Sequence, residues 1–146
     1  MKKTDPPIRV EVTLEASIEQ VWKAITEASQ MVQWYFKEIE AFEPTVGFST
    51  RFVVENEGRI FPHVWKVTKV EPYKKIAYNW RYEGYTGDSE VTFELQAIEN
   101  RTLLRLTHEV IACFSATIPE FTRESCLGGW RYFITERLQA YVQTGC

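Results

Sequence analysis

The feature that most constrains this chain is a change of period. From residue 38 to residue 110, apolar side chains recur at every second position, while the segments before and after repeat at helical spacing. Turn residues punctuate the alternating stretch at Pro44 to Gly47, Asn56 to Gly58, Pro72 to Lys74, Gly84 to Gly87 and Asn100. Gaps of hairpin length between such segments predict an antiparallel meander of about six strands. The clearest are Phe48 to Glu55, Pro62 to Val70, Ile76 to Tyr82, Glu90 to Ala97 and Thr102 to Val110, with a further strand at Glu38 to Phe42. A bulge would most readily shift the register over Pro62 to Val70.

The flanks complete the order. Ile8 to Leu14 alternates as a strand with one buried face. Ser17, with Gln20 three residues on, opens a capping box ahead of the helical stripe Ile18, Val21, Trp22 and Ile25, which predicts a helix to about Thr26. Ala28 to Phe36 predicts a second, short helix. After Pro119 helical spacing returns, and Trp130, Phe133, Ile134, Leu138, Tyr141 and Val142 form one wide apolar stripe on a long last helix. The expected order is strand, two helices, six strands, helix, an α+β fold. The first seven residues read as a flexible tail and residues 8–146 as one domain. A sheet of this kind has one dry face, which the last helix must cover, and a curved sheet around a helix leaves room for a small molecule.

Charge and cysteine content exclude several classes. With 17 basic and 20 acidic side chains the formal charge is −3, the wrong sign for a nucleic-acid footprint or an anionic-membrane anchor. Lys66, Lys69, Lys74 and Lys75 read as a solvated face. No apolar run approaches the ~20 residues of a membrane span, and Met1 to Pro7 lacks a secretory core, so a cytoplasmic location is expected. Cys113, Cys126 and Cys146 have neither disulfide nor zinc spacing and are expected as reduced thiols. No metal and no other cofactor is expected.

Several local motifs, in order, resemble the START-like helix-grip superfamily (START/Bet v 1-like, SRPBCC), and within it the Hsp90-ATPase-activator-like (AHSA1-type) domains. Ala16 to Thr26 looks like the family's opening helix, and Trp34-Tyr35 stands where the family often carries Trp-Phe or Trp-Trp. Val67 to Pro72 followed by Lys75 to Trp80 looks like its strand, proline turn and strand ending in tryptophan. Thr92 to Leu95 with Thr102 to His108 resembles its paired strands, and Gly129-Trp130 leading to Glu136-Arg137-Leu138 its final helix. The resemblance implies a curved antiparallel sheet of six to seven strands wrapped round a long C-terminal helix, with two short helices after the first strand. It also implies a general ability to enclose apolar molecules without a common reaction. The eukaryotic co-chaperone that names the subfamily carries a second domain for which 146 residues leave no room, so direct Hsp90 activation is not expected.

Candidate ligand contacts follow from the alternation. His63 shares a strand face with Trp65, and His108 continues the row of Leu104 and Leu106, so both imidazoles are expected to point inward. Tyr78, Trp80 and Tyr82 share another face; Phe48, Phe52 and Phe93 sit on the rows of other strands; Trp130, Ile134 and Arg137 lie on or beside the last helix's stripe. Each of these aromatics serves equally as plain core packing. Arg51, Arg81 and Arg137 are possible counter-ions to a ligand carboxylate, or solvated arginines. No Gly-x-Ser-x-Gly and no cysteine-histidine signature is present, and Cys126 reads as a small buried apolar group. Gly128-Gly129 suggests close backbone approach or an adjustable entrance.

The expected function is binding of a small apolar or amphipathic ligand between sheet and last helix, with no catalytic residue assigned. Two rivals remain open: a polyketide cyclase- or dehydratase-like enzyme using His63, His108 or Arg81, and a co-chaperone or stress-linked partner of a chaperone or other protein. The chain is expected as a monomer, or as a homodimer through a sheet edge or Trp34-Tyr35-Phe36.

Overall fold

A computed structural model describes residues 1–144. Six antiparallel strands, β1 (Ile8–Leu14), β2 (Ser49–Asn56), β3 (Arg59–Glu71), β4 (Lys75–Tyr82), β5 (Asp88–Ile98) and β6 (Arg101–Ala112), form one sheet in the order β1-β6-β5-β4-β3-β2. Two helices, α1 (Ile18–Thr26) and α2 (Ala28–Trp34), follow β1. After β6 come a short 3-10 turn at Pro119–Phe121, helix α3 (Arg123–Arg131), seven residues of π-helix at Tyr132–Leu138, and helix α4 (Gln139–Thr144). This is the α+β helix-grip fold. No helix among the described residues is long and apolar enough to cross a membrane.

Local chemistry accounts for the elements. The Ser17 hydroxyl accepts from the Gln20 amide while the Gln20 side chain accepts from the Ser17 amide, closing the capping box that starts α1. Thr122 caps α3 by accepting from the Ser125 amide. Glu57 and Gly58 both take positive φ, the two-residue turn whose twist matches the β2–β3 hairpin. Gly87 at φ +117° lies under the Phe114 ring, where a Cβ would come within 2.3 Å, so no other residue fits.

Inward rows pack as the alternation implies: Phe61, His63, Trp65 and Val67 of β3, and Leu104, Leu106 and His108 of β6, are all buried. The register does shift between Val67 and Lys69, inside the stretch expected to slip. On the last helix Trp130, Ile134, Leu138 and Val142 are buried, every fourth residue. In an α-helix that spacing drifts by about 40° per step. The wider π turns at Tyr132–Leu138 take up the drift and hold the row against the sheet.

Three expectations need correction. Glu38 to Phe42 is not a strand: it is a loop strap that buries Ile39 and Phe42 without pairing to the edge strand. α2 stops at Trp34, and a Tyr35 backbone at φ −103°, ψ −122° swings Tyr35 and Phe36 into the interior. Gly128 and Gly129 are not sites of close approach, since nothing lies within 4 Å of where their Cβ atoms would stand. Residues before β1 run beside the β6–α3 connection, where the Phe114 amide donates to the Met1 carbonyl and Arg123 donates to the Pro6 carbonyl. Cys113 and Cys126 are free thiols, and Cys146 lies outside the described residues.

At the centre of the core the Tyr35 and Tyr78 hydroxyls meet at 2.8 Å, sealed from solvent. Burial raises both phenols, so the pair stays un-ionised. Tyr35→Phe or Tyr78→Phe alone strands one buried hydroxyl and is expected to cost about 1–3 kcal/mol, whereas the double variant removes both partners. Denaturant unfolding of the three variants should therefore give a double-variant cost well below the sum of the singles; additive costs would mean the hydroxyls do not depend on each other.

Candidate functional site

Where β2, β3 and β4 curve away from α3, the packing leaves a cavity of about 350 Å³. Its walls are aromatic: Phe36 from the turn after α2, Phe61 and His63 from β3, Trp80 and Tyr82 from β4, and Trp130 and Phe133 from the last helix. His108 of β6 and Cys126 and Gly129 of α3 complete the inner end, while Glu55, Asn56 and Glu120 stand at the rim. A larger hollow of about 730 Å³ lies at the β3–β4 turn, but charged side chains such as Glu71, Lys75, Glu94 and Arg105 line it. The first combines aromatic walls with a few polar groups and no Lys or Arg in its lining, the usual composition of a small-molecule site.

The two imidazoles hold their protons in opposite places. His63 Nδ1 lies 2.9 Å from the Phe61 carbonyl, which can only accept, so Nδ1 carries the hydrogen and Nε2 the lone pair. His108 Nδ1 accepts from the Trp130 indole N–H at 2.9 Å and sits 3.2 Å from Cys126 Sγ, so its hydrogen is on Nε2. That Nε2–H is buried without a partner. The Trp80 indole N–H is likewise buried without a partner. Burial pushes both histidines down to about 4, against a weak opposing effect of the Phe61 carbonyl at His63, so both are neutral near neutral pH.

The fold thus brings together a cysteine and a histidine eighteen residues apart in sequence, a pairing for which the chain carries no linear signature. It is not an activated nucleophile. Burial pushes the Cys126 thiol up to about 12, and a neutral imidazole next to it supplies no positive charge to stabilise a thiolate. At the rim the Glu120 carboxylate accepts from Arg59 and from Asn56 at 2.8 Å, fastening the β6–α3 connection to the β2–β3 hairpin; the Arg59 guanidinium holds the Glu120 carboxyl below the usual range.

Of the candidate contacts, His63, Trp80, His108 and Trp130 line the cavity. Phe52, Trp65, Tyr78, Phe93, Leu106 and Ile134 lie in the packed interior. Phe48 is half-buried against Phe42, away from the cavity. Arg137 is exposed and donates to the Gln33 carbonyl and the Tyr132 hydroxyl, tying the π-helix to α2. Arg51 pairs with Glu83, and Arg81 is exposed. Among the described residues no cluster of His, Cys, Asp or Glu is arranged to hold a metal ion.

Phe36, Phe61 and Phe133 are wall residues outside the candidate set, and Tyr82, on the face of Tyr78 and Trp80, is a wall residue too. Phe61 continues the row of His63 and Trp65, one residue ahead of the expected strand start, and Tyr82 and Phe133 extend rows already visible. Glu120 and Phe121 reach the cavity from the β6–α3 connection and Cys126 from α3, and none of the three carries a periodic sequence signal for this site.

A sequence profile for activator of Hsp90 ATPase homolog 1-like proteins matches residues 15–143. The chain belongs to this family. Solved structures resemble this family member along nearly its whole length. DynU16, a protein of the dynemicin biosynthetic locus, is 28% identical with a TM-score of 0.75, over 97% of this chain and 48% of that one. The chain therefore spans about half of DynU16. Protein BH1534 of Bacillus halodurans is 26% identical with a TM-score of 0.70, over 94% of this chain and 97% of that one. The Aha1 dimer of Colwellia psychrerythraea shares the fold at 23% identity and a TM-score of 0.73, covering 97% and 98%. A search of curated proteins gives no significant match.

Proposed function

We propose that this family member is a binding module for a small apolar or amphipathic molecule held between β2–β4 and the last helix. The carrying observation is the cavity itself: about 350 Å³ with aromatic walls and a neutral imidazole, His63, in its lining. Drug-sized ligands occupy sites of about 300–1,000 Å³ built this way. Both histidines are neutral and the cysteine is un-ionised, so the lining holds no charged imidazole or thiolate to act as a catalyst.

One observation favours an enzyme instead. Two of the three residues expected to serve a cyclase- or dehydratase-like reaction, His63 and His108, line the same cavity, and DynU16, similar to this chain at 28% identity, is a protein of a biosynthetic locus. Turnover of a bound aromatic or polyketide substrate that is lost in His63→Phe would move the reading to that class.

Gly129 provides the test of the binding site. Nothing lies within 4 Å of its Cβ position, and the residue lines the cavity. Gly129→Leu therefore adds a side chain into open cavity space, and it raises helix propensity by nearly 1 kcal/mol. Native mass spectrometry of freshly purified protein, with thermal-shift titration of an aromatic and lipid panel, should detect a bound molecule in the wild type. Gly129→Leu is expected to fold at least as stably and to weaken binding by about tenfold or more. Ligands that bind both proteins equally would place their site elsewhere and overturn the proposal.

A further inference from the structure

Resting on that binding reading, we propose that the cavity takes an uncharged, flat hydroxy-aromatic molecule whose O–H donates to His63 Nε2, and that it rejects a carboxylate of the same shape. The Phe61 carbonyl has no hydrogen to give, so the 2.9 Å contact consumes the proton of His63 Nδ1 and leaves Nε2 as an acceptor. Nε2 makes no hydrogen bond within the protein, and it is not one of the buried side-chain atoms closed off without a partner. The free acceptor therefore belongs to the cavity surface that the ring lines. Four rings hold the imidazole in this orientation: Phe52 stacks on it at 4.8 Å, and Tyr82, Phe36 and Trp80 contact it at 4.7, 4.9 and 5.5 Å.

Charge decides between a hydroxyl and a carboxylate. The ionisable carboxylates of the lining are Glu55 and Glu120, both negative, and no Lys or Arg is among the lining residues described. The Arg59 guanidinium at the rim is engaged by Glu120 and Glu57, and Arg123 donates to the Pro6 carbonyl. An anionic ligand would shed its water with no Lys or Arg side chain in the lining to meet it, the Met1 ammonium beyond it being engaged by the Phe121 carbonyl, and would face the His63 lone pair. A neutral hydroxyl satisfies that lone pair instead, and an aromatic ring matches walls formed by Phe36, Trp80 and Phe133.

The test compares naphthol, its methyl ether and the matching naphthoate by isothermal titration and ligand-detected NMR near neutral pH. Naphthol is expected to bind about tenfold tighter than the ether, the fold-change of one hydrogen bond, and the naphthoate to bind weakest. His63→Phe should bring naphthol to the level of the ether and leave the ether within about twofold, while His63→Gln, whose side-chain oxygen can accept, should restore part of the difference. The comparison of the three ligands on the wild type stands even if a His63 variant fails to fold. Equal binding of naphthol and ether, or tightest binding of the naphthoate, with Gly129→Leu weakening all three, would overturn the ligand class and leave the binding reading intact. Failure of all three to bind, or binding that Gly129→Leu leaves untouched, would overturn the binding reading and this inference with it.

Discussion

Acidification from about pH 6.5 to about pH 4 is expected to cost this protein about 3 kcal/mol of stability for each of its two histidines. His63 and His108 are both pushed down from 6.5 to about 4 by burial. Above pH 6.5 folded and unfolded chains hold these rings neutral, and nothing is lost. Between the two values the unfolded chain takes up protons that the folded chain refuses, so stability falls as pH falls. Below about 4 the folded rings protonate too and this source of loss is exhausted. Together the two losses compare with the whole 5–15 kcal/mol that holds a typical domain folded. Neither ring has a carboxylate partner to offset the cost: His63 meets Phe36, Phe52, Trp80 and Tyr82, and His108 meets Trp80, Trp130 and Cys126.

Glu120 separates cleanly from this window. Its carboxyl is depressed by Arg59, so its contribution is present above the ordinary carboxylate value and is lost only as pH falls through the lower folded value. Denaturant unfolding at steps from pH 7 to pH 4 therefore reads the histidines first. His63→Phe should remove about half of the slope, since it leaves only His108 to refuse a proton. A flat profile across this range in the wild type would mean that water or a compensating shift reaches both imidazoles.

The rows that build the sheet are readable in sequence because each inward side is an unbroken apolar alternation, and the β3 and β6 rows include a histidine each without losing it. The Ser17 capping box and the spacing of Trp130, Ile134 and Leu138 are local signals of the same kind. Which inward residues touch the helix and which border a gap is not local. Trp65 and Trp80 face each other across β3 and β4 in the same register, yet Trp65 is closed over by Tyr35, Phe42 and Phe52 while Trp80 borders the cavity. The difference comes from the backbone turn at Tyr35 and the strap that buries Phe42, neither of which has a periodic pattern. The strap's own apolar residues, Ile39 and Phe42, imitate a strand because a loop pinned to a core must also bury side chains at short intervals. The meeting of Cys126 with His108 depends on the path of the β6–α3 connection, which only tertiary packing decides.

Trp130→Ala is expected to cost about 3–5 kcal/mol, the range for deleting a buried indole. The ring is 3% exposed and packs against Trp80, Tyr35, Phe93 and Phe133 at 5.5 to 6.4 Å, so its removal merges its own volume with the cavity. Trp130→Phe isolates the polar part of the effect. It keeps most of the packing but leaves His108 Nδ1 with only the Cys126 thiol, a weak donor, and should cost about 1–3 kcal/mol. It also releases the constraint that places the His108 hydrogen on Nε2. Long-range nitrogen-proton NMR should find His108 as the Nε2–H tautomer in the wild type and as a mixture of tautomers in Trp130→Phe. A variant with wild-type stability and an unmixed tautomer would sink the claim that the indole orients His108, because the 2.9 Å bond would then be carrying neither energy nor proton placement. The mixed tautomer, in contrast, ties the last helix to the chemistry of the opposite strand. A helix that moves to admit a ligand would then change which nitrogen of His108 can donate to it.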